Sequence, residues 1–316
     1  MILSTRIYLF SILALAAACS ADTTTTATAP VATLRPGVKD SSKAFQGTAS
    51  ANETAFWESV RKGDDAARAK AVEGLKKDVA ADPANAYSAF LAGANVFIPP
   101  SGLLLALNAG QVPGGGDQGP PPPDTIPLFT NSTNAFTDPL YKGFAASLLS
   151  ATQAGGGDFE ASGKSMAIGI ANNIPASSVT RAIGSILQKD VKSAYELIWA
   201  MMDFCAGAPL DRSNPDVDTY VDRANKSDLR HRECFSGYHA EHGTEGTLLL
   251  AGDLAALSGN ATGAARMYAG TKRSRNYGTW GLRTLAERRI SGDLKAVPEN
   301  LFNISACTSC HVDQAK

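Results

Sequence analysis

Apolar side chains recur at three- and four-residue intervals along most of the chain, which is the spacing of one face of an α-helix. Phe56, Trp57 and Val60 form such a face, and Ala71 and Leu75 continue it in the next segment. The same spacing predicts further helices over 87–97, 139–153, 159–172, 177–188, 191–205 and 277–289. The pattern therefore predicts an all-α fold, and the helix over 191–205, which is apolar nearly all round, is expected to be the most buried.

Composition supports helices rather than strands. Ala and Gly are abundant while β-branched residues are sparse through most of the chain, a balance that favours closely packed helices. Charged residues make up only 19% of the chain and the formal net charge is −1. A nucleic-acid-binding protein would normally carry a basic stripe, so we expect no nucleic-acid partner.

The helical body is expected to span residues 52–303, with one long exposed loop over 109–126. The loop sequence "GQVPGGGDQGPPPP" is rich in Gly and then in Pro, which predicts polyproline II structure. Such a loop either docks a Pro-recognising partner or is an insertion that the tip of a helical hairpin tolerates.

The first 18 residues have the pattern of a signal peptide. One positive charge precedes a short apolar run that ends in small residues. The stretch "LALAAAC" resembles a bacterial lipobox, in which cleavage leaves a lipidated cysteine, here Cys19, at the N-terminus. The alternative is an ordinary periplasmic signal cut near Ala18 or Ala21. The chain is therefore expected to be exported, either to the periplasm or as a lipoprotein, and Ser20 after Cys19 is compatible with the outer membrane.

Residues 19–51 are expected to form a flexible tether. The segment is rich in Thr, Ala, Ser and Pro and has almost nothing to bury, so it cannot offset the entropy cost of ordering. Behind a lipid anchor, such a tether would hold the helical body away from a membrane surface.

Two stretches of the body resemble tetratricopeptide repeats. In the first, Ala71, Leu75 and Pro83 punctuate one helix and Gly93 lies in the next. The second stretch has its repeat-like positions at Leu248, Gly252, Gly259, Ala264 and Tyr268. The resemblance implies stacked helical hairpins. Because the middle of the chain does not visibly repeat, an irregular helical bundle with repeat-like hairpins is an equal alternative.

The sequence "CTSCH" near the end of the chain carries the most specific chemistry. Cys307, Cys310 and His311 have the spacing of the c-type haem attachment motif, so the segment 304–316 resembles the haem-binding part of a c-type cytochrome. The resemblance implies one haem c, joined through two thioether bonds to the cysteines, with His311 as the proximal iron ligand. The alternatives are a redox Cys-x-x-Cys pair, a zinc site and a structural disulfide.

Because only "VDQAK" follows His311, we expect no second iron ligand downstream; it would come from the helical body or from another molecule, or be absent. The other histidines are His231, His239 and His242, which lie within a dozen residues of one another. His239 and His242 are three apart and would share a helical face, so they are preferred as candidate distal ligands. The alternative is that these histidines are exposed on the surface. Methionines are rival ligands, although a Met in an apolar run is usually a core residue, and the rivals are Met166, Met201, Met202 and Met267.

Two further cysteines, Cys205 and Cys234, form an even pair in a chain expected to be exported. A disulfide between them is the natural expectation in an oxidising compartment. It would join the histidine-bearing segment to the predicted helix over 191–205. The alternative is a metal site that uses Cys234 together with His239 or His242.

These features predict a single-haem electron-transfer protein that docks a redox partner protein. One alternative is a protein-binding module built on the repeat-like helices. Another is a peroxidase-type haem enzyme with an open iron site, for which His239, His242 and Glu241 are the candidate acid or base groups. The chain has neither a Gly-x-Ser-x-Gly nor a His-Glu-x-x-His sequence, so hydrolase motifs of these types are absent.

Overall fold

A computed structural model describes residues 50–98, 100, 121–212, 217–226 and 242–294. Every regular element in these ranges is helical, so the predicted all-α fold is confirmed for this part of the chain. The α-helices are α1 Ala51–Lys62, α2 Asp65–Ala81, α3 Ala86–Ala94, α4 Thr125–Ala135, α5 Pro139–Gly155, α6 Phe159–Asn172, α7 Ile174–Leu187, α8 Val191–Ala206, α9 Val217–Lys226, α10 Gly243–Leu257, α11 Ala261–Thr271 and α12 Arg283–Ile290. The predicted signal peptide, nearly all of the predicted tether and the predicted haem-attachment tail lie outside the described residues.

Short polar side chains define where most of these helices begin. At eight helices an Asp, Asn or Ser at the N-cap accepts a hydrogen bond from a backbone N–H of the first turn, which satisfies a group that the helix itself leaves unpaired. These caps are Ser50, Asp64, Asn85, Asp138, Asp158, Asn173, Asp190 and Asn260. The caps therefore divide an Ala-rich chain into helices of defined length.

Four helical hairpins have the same turn geometry, and these are α1–α2, α5–α6, α7–α8 and α10–α11. A residue with positive φ stands directly before the N-cap of the second helix, and these residues are Gly63, Gly157, Lys189 and Gly259. The N–H of each following cap bonds the carbonyl five residues earlier, as Asp158 N–H does to Gln153 O at 2.9 Å. This hydrogen-bond pattern is that of a Schellman motif, so the four hairpins reverse direction in the same way.

Consecutive helices pack against each other from α1 to α9 and from α10 to α12, and α1–α3, α5–α7 and α9–α11 also pack as second neighbours. In addition, α8 packs on α10, which brings the centre of the chain against the α10–α11 hairpin. The described part of the chain is thus a series of helical hairpins.

Two apolar clusters form the interior. The first contains residues of α1 to α5 together with Trp280 and Leu282, and the second is built mainly from α7 to α9. Helix α10 contributes to both, because Leu249 belongs to the first cluster and Leu248 to the second. This helix is buried along nearly its whole length, so the prediction that 191–205 is the most buried helix is wrong.

Helix boundaries follow the predictions closely in the middle of the chain and less closely elsewhere. The prediction over 159–172 is confirmed, whereas the helix predicted over 277–289 is confirmed only from Arg283 onward. There, a 3₁₀ turn at Tyr277–Thr279 leads to extended backbone at Trp280, and α12 begins only at Arg283. The predicted loop over 109–126 ends earlier than expected, since α4 already starts at Thr125.

Within the described ranges, no helix has both the length and the apolar character needed to cross a membrane.

Candidate functional site

The N-terminus of α10 carries the most unusual polar group of the described structure. The chain enters this helix through His242, Gly243 and Thr244, all of which are buried. His242 is 1% exposed, and Glu245 in the first helical turn is fully buried. A histidine and a carboxylate therefore share an interior position, where polar groups are costly unless they have partners.

His242 occupies the N-cap position of α10 but does not act as a cap. Its backbone has φ −114° and ψ 23°, and its side chain makes no capping hydrogen bond to the helix. At most other helices an Asp, Asn or Ser performs that role. The imidazole instead faces the helix side chain three residues on, with Nδ1 3.8 Å from Glu245 Oε1.

Glu245 is a buried carboxyl group, and neither of its oxygens has a hydrogen-bond partner among the described residues. Its place in the first turn is electrostatically favourable, because the helix dipole presents partial positive charge there. That partial charge does not replace the hydrogen bonds that a carboxylate has in water. Glu245 is thus an acceptor placed in the interior beside a potential donor, His242.

The structure brings one of the predicted distal ligands into the interior. For His242 the alternative of an exposed surface histidine is wrong, since its side chain is almost wholly inaccessible. His231 and His239 lie outside the described residues, as do Cys307, Cys310 and His311. Whether His242 binds iron stays a prediction.

Three of the four rival methionines lie among apolar side chains. Met201, Met202 and Met267 belong to the second apolar cluster and are at most 2% exposed, while Met166 is half-buried on α6. This is the ordinary environment of a core methionine.

Cys205 lies at the end of α8 and is 1% exposed. Its predicted disulfide partner, Cys234, lies outside the described residues, so the pairing stays a prediction. Because α8 packs on α10, Cys205 lies on a helix that contacts the helix of His242 and Glu245.

No group of three or more His, Cys, Asp or Glu side chains suited to holding a metal ion occurs in the described ranges. His242 and Glu245 are a pair, so further ligands of any metal centre would have to come from elsewhere. A pair of this composition is suited to a different task, in which a carboxylate orients an imidazole and the imidazole supplies a single bond to a metal.

Reasoning from the sequence missed Glu245. The spacing was visible, because residues three apart on a helix lie on one face and Glu245 follows His242 by three. The polar sequence around them, "HAEHGTEG", is typical of an exposed segment and concealed the burial.

The chain matches no protein family, no curated protein and no solved structure.

Proposed function

We propose that this chain is a c-type haem protein that transfers electrons in the cell envelope. The observation that carries the proposal is the sequence Cys307-Thr308-Ser309-Cys310-His311. The two cysteines would hold the porphyrin through thioether bonds, and His311 would bind the iron as the proximal ligand. When bound, the haem would supply a one-electron ferric–ferrous couple, for which the protein provides ligands, burial and a docking surface.

The interior position of His242 supports this proposal. A low-spin haem suited to electron transfer needs a second strong ligand that is held in place, and a neutral imidazole is such a ligand. His242 is buried, and it precedes a helix that is itself buried along nearly all of its length. The residues present therefore fit a haem ligand, both in the kind of donor and in its shielding from water.

The expected compartment is consistent with the same function. Haem attachment to Cys-x-x-Cys-His takes place outside the cytoplasmic membrane, and residues 1–18 have the pattern of a signal peptide. The predicted disulfide between Cys205 and Cys234 would also require an oxidising compartment. Cys19 would carry the lipid, and the tether behind it would let the helical body reach a redox partner protein.

The test is to produce the full chain in a host that attaches haem c and to measure the mass of the tryptic peptide that contains Cys307 and Cys310. We expect one haem on that peptide and a sharp low-spin α band in the reduced visible spectrum. The variant with Cys307→Ala and Cys310→Ala should lose both. Free thiols or a Cys307–Cys310 disulfide in correctly matured protein would overturn the proposal, and a high-spin spectrum that shifts with added ligand would favour the peroxidase-type alternative.

A protein-binding module is the second candidate, and the recurrence of one hairpin turn favours it. Two hairpins also share a small residue that faces an aromatic ring. A Cβ on Gly93 of α3 would lie 3.1 Å from Phe129 of α4, and a Cβ on Gly252 of α10 would overlap the ring of Tyr268 on α11. These features resemble tetratricopeptide repeats, whose stacked hairpins bind other proteins on an extended surface.

The two candidates differ in what the haem contributes. In a strain that lacks the native protein, the Cys307→Ala, Cys310→Ala variant restores the wild-type phenotype if the helices act as a binding module. It fails to do so if electron transfer is the function. Exported levels of the two proteins are matched by immunoblot, so that loss of the variant protein is not mistaken for loss of function.

A further inference from the structure

We draw no further inference here: the strongest candidate, the exposed apolar surface patch of α6 at Ile168 and Ile170, carries none because nothing in the described part of the chain shows what covers it.

Discussion

Arg289 Nε donates a hydrogen bond to Asp253 Oδ1 at 2.9 Å, and neither side chain has any exposure to solvent. The same Asp253 oxygen accepts a hydrogen bond from the Tyr268 hydroxyl at 2.7 Å, so α10, α11 and α12 meet at one carboxylate. Burial raises the pKa of Asp253, while the charge of Arg289 and the hydrogen bond from Tyr268 act in the opposite direction. These hydrogen bonds link the last described hairpin, α10–α11, to the helix that follows it, α12.

Replacing one member of this ion pair should be far more harmful than replacing both. Asp253→Ala leaves the Arg289 guanidinium buried without its counter-charge, and we expect a loss of about 3–5 kcal/mol in the free energy of unfolding. The double variant Asp253→Ala, Arg289→Met should lose less than either single variant alone. Urea unfolding followed by circular dichroism measures each value, and the exposed pair Glu160–Lys164 should cost below about 1 kcal/mol when broken. Additive losses at Asp253 and Arg289 would contradict the prediction.

Gly252 should tolerate no side chain, in contrast to another helical glycine. A Cβ at Gly252 would overlap the Tyr268 ring, which cannot retreat because its hydroxyl is bonded to Asp253. We expect Gly252→Ala to destabilise the fold by about 1–3 kcal/mol. A Cβ at Gly163 on α6 would meet nothing within 4 Å, so Gly163→Ala should instead stabilise by about 0.5–1 kcal/mol through helix propensity. Thermal denaturation of the two variants should therefore shift in opposite directions.

The repeated hairpin turn predicts a stabilising substitution at Lys189. This residue has φ 62° at the position where the other three turns have glycine. Left-handed backbone is unfavourable for a residue with a Cβ, so Lys189→Gly should raise the free energy of unfolding by about 0.5–1 kcal/mol. Gly259→Ala, at φ 81° in the equivalent turn, should lower it by a similar amount. Chemical denaturation tests both variants, and destabilisation by Lys189→Gly would mean that the lysine side chain makes a compensating contact.

The cap that follows Lys189 should make a small pH-dependent contribution. The hydroxyl and the backbone N–H of Ser193 both hydrogen-bond to Asp190 and lower the pKa of that carboxyl below its ordinary value of 3.8. A lowered folded-state pKa stabilises the protein above the unfolded value, and the stabilisation is lost as the pH falls through the folded value. Because the carboxyl is exposed, we expect less than about 0.5 kcal/mol. The stability difference between the wild type and Asp190→Asn, which keeps a capping side chain, should shrink as the pH is lowered from 6 to 3. A constant difference would contradict the prediction.

The sequence predicts a helix well where local residues mark its ends, and poorly where burial in the tertiary structure stabilises it. The bounds of helix α6 were predicted correctly, and in the structure Asp158 caps its start and Asn173 follows its end. Helix α4 was missed because "TIPLFTNSTNA" contains a proline and several poor helix formers, and it is burial of Leu128 and Phe129 that holds it. At 277–289 the apolar spacing was correct, but Gly278 and Gly281 flank Trp280, where the backbone is extended, and the helix begins later.

The candidate site was less predictable than the fold. Residue type and spacing singled out His242, but they did not separate it from His239, because burial of a polar segment depends on tertiary packing. Glu245 and Arg289 were invisible for the same reason, since charged side chains are ordinarily exposed. The sequence did contain the three-residue spacing between His242 and Glu245. That spacing indicates an interior pair only once both side chains are known to be buried.

The position of helix α10 affects how the protein unfolds. Successive side chains of this one helix, Leu248 and Leu249, are anchored in different apolar clusters. If one apolar cluster unfolds, α10 loses part of its packing, and the other cluster also depends on α10. The described hairpins should therefore unfold as one cooperative unit, unlike a linear array whose terminal units fray independently.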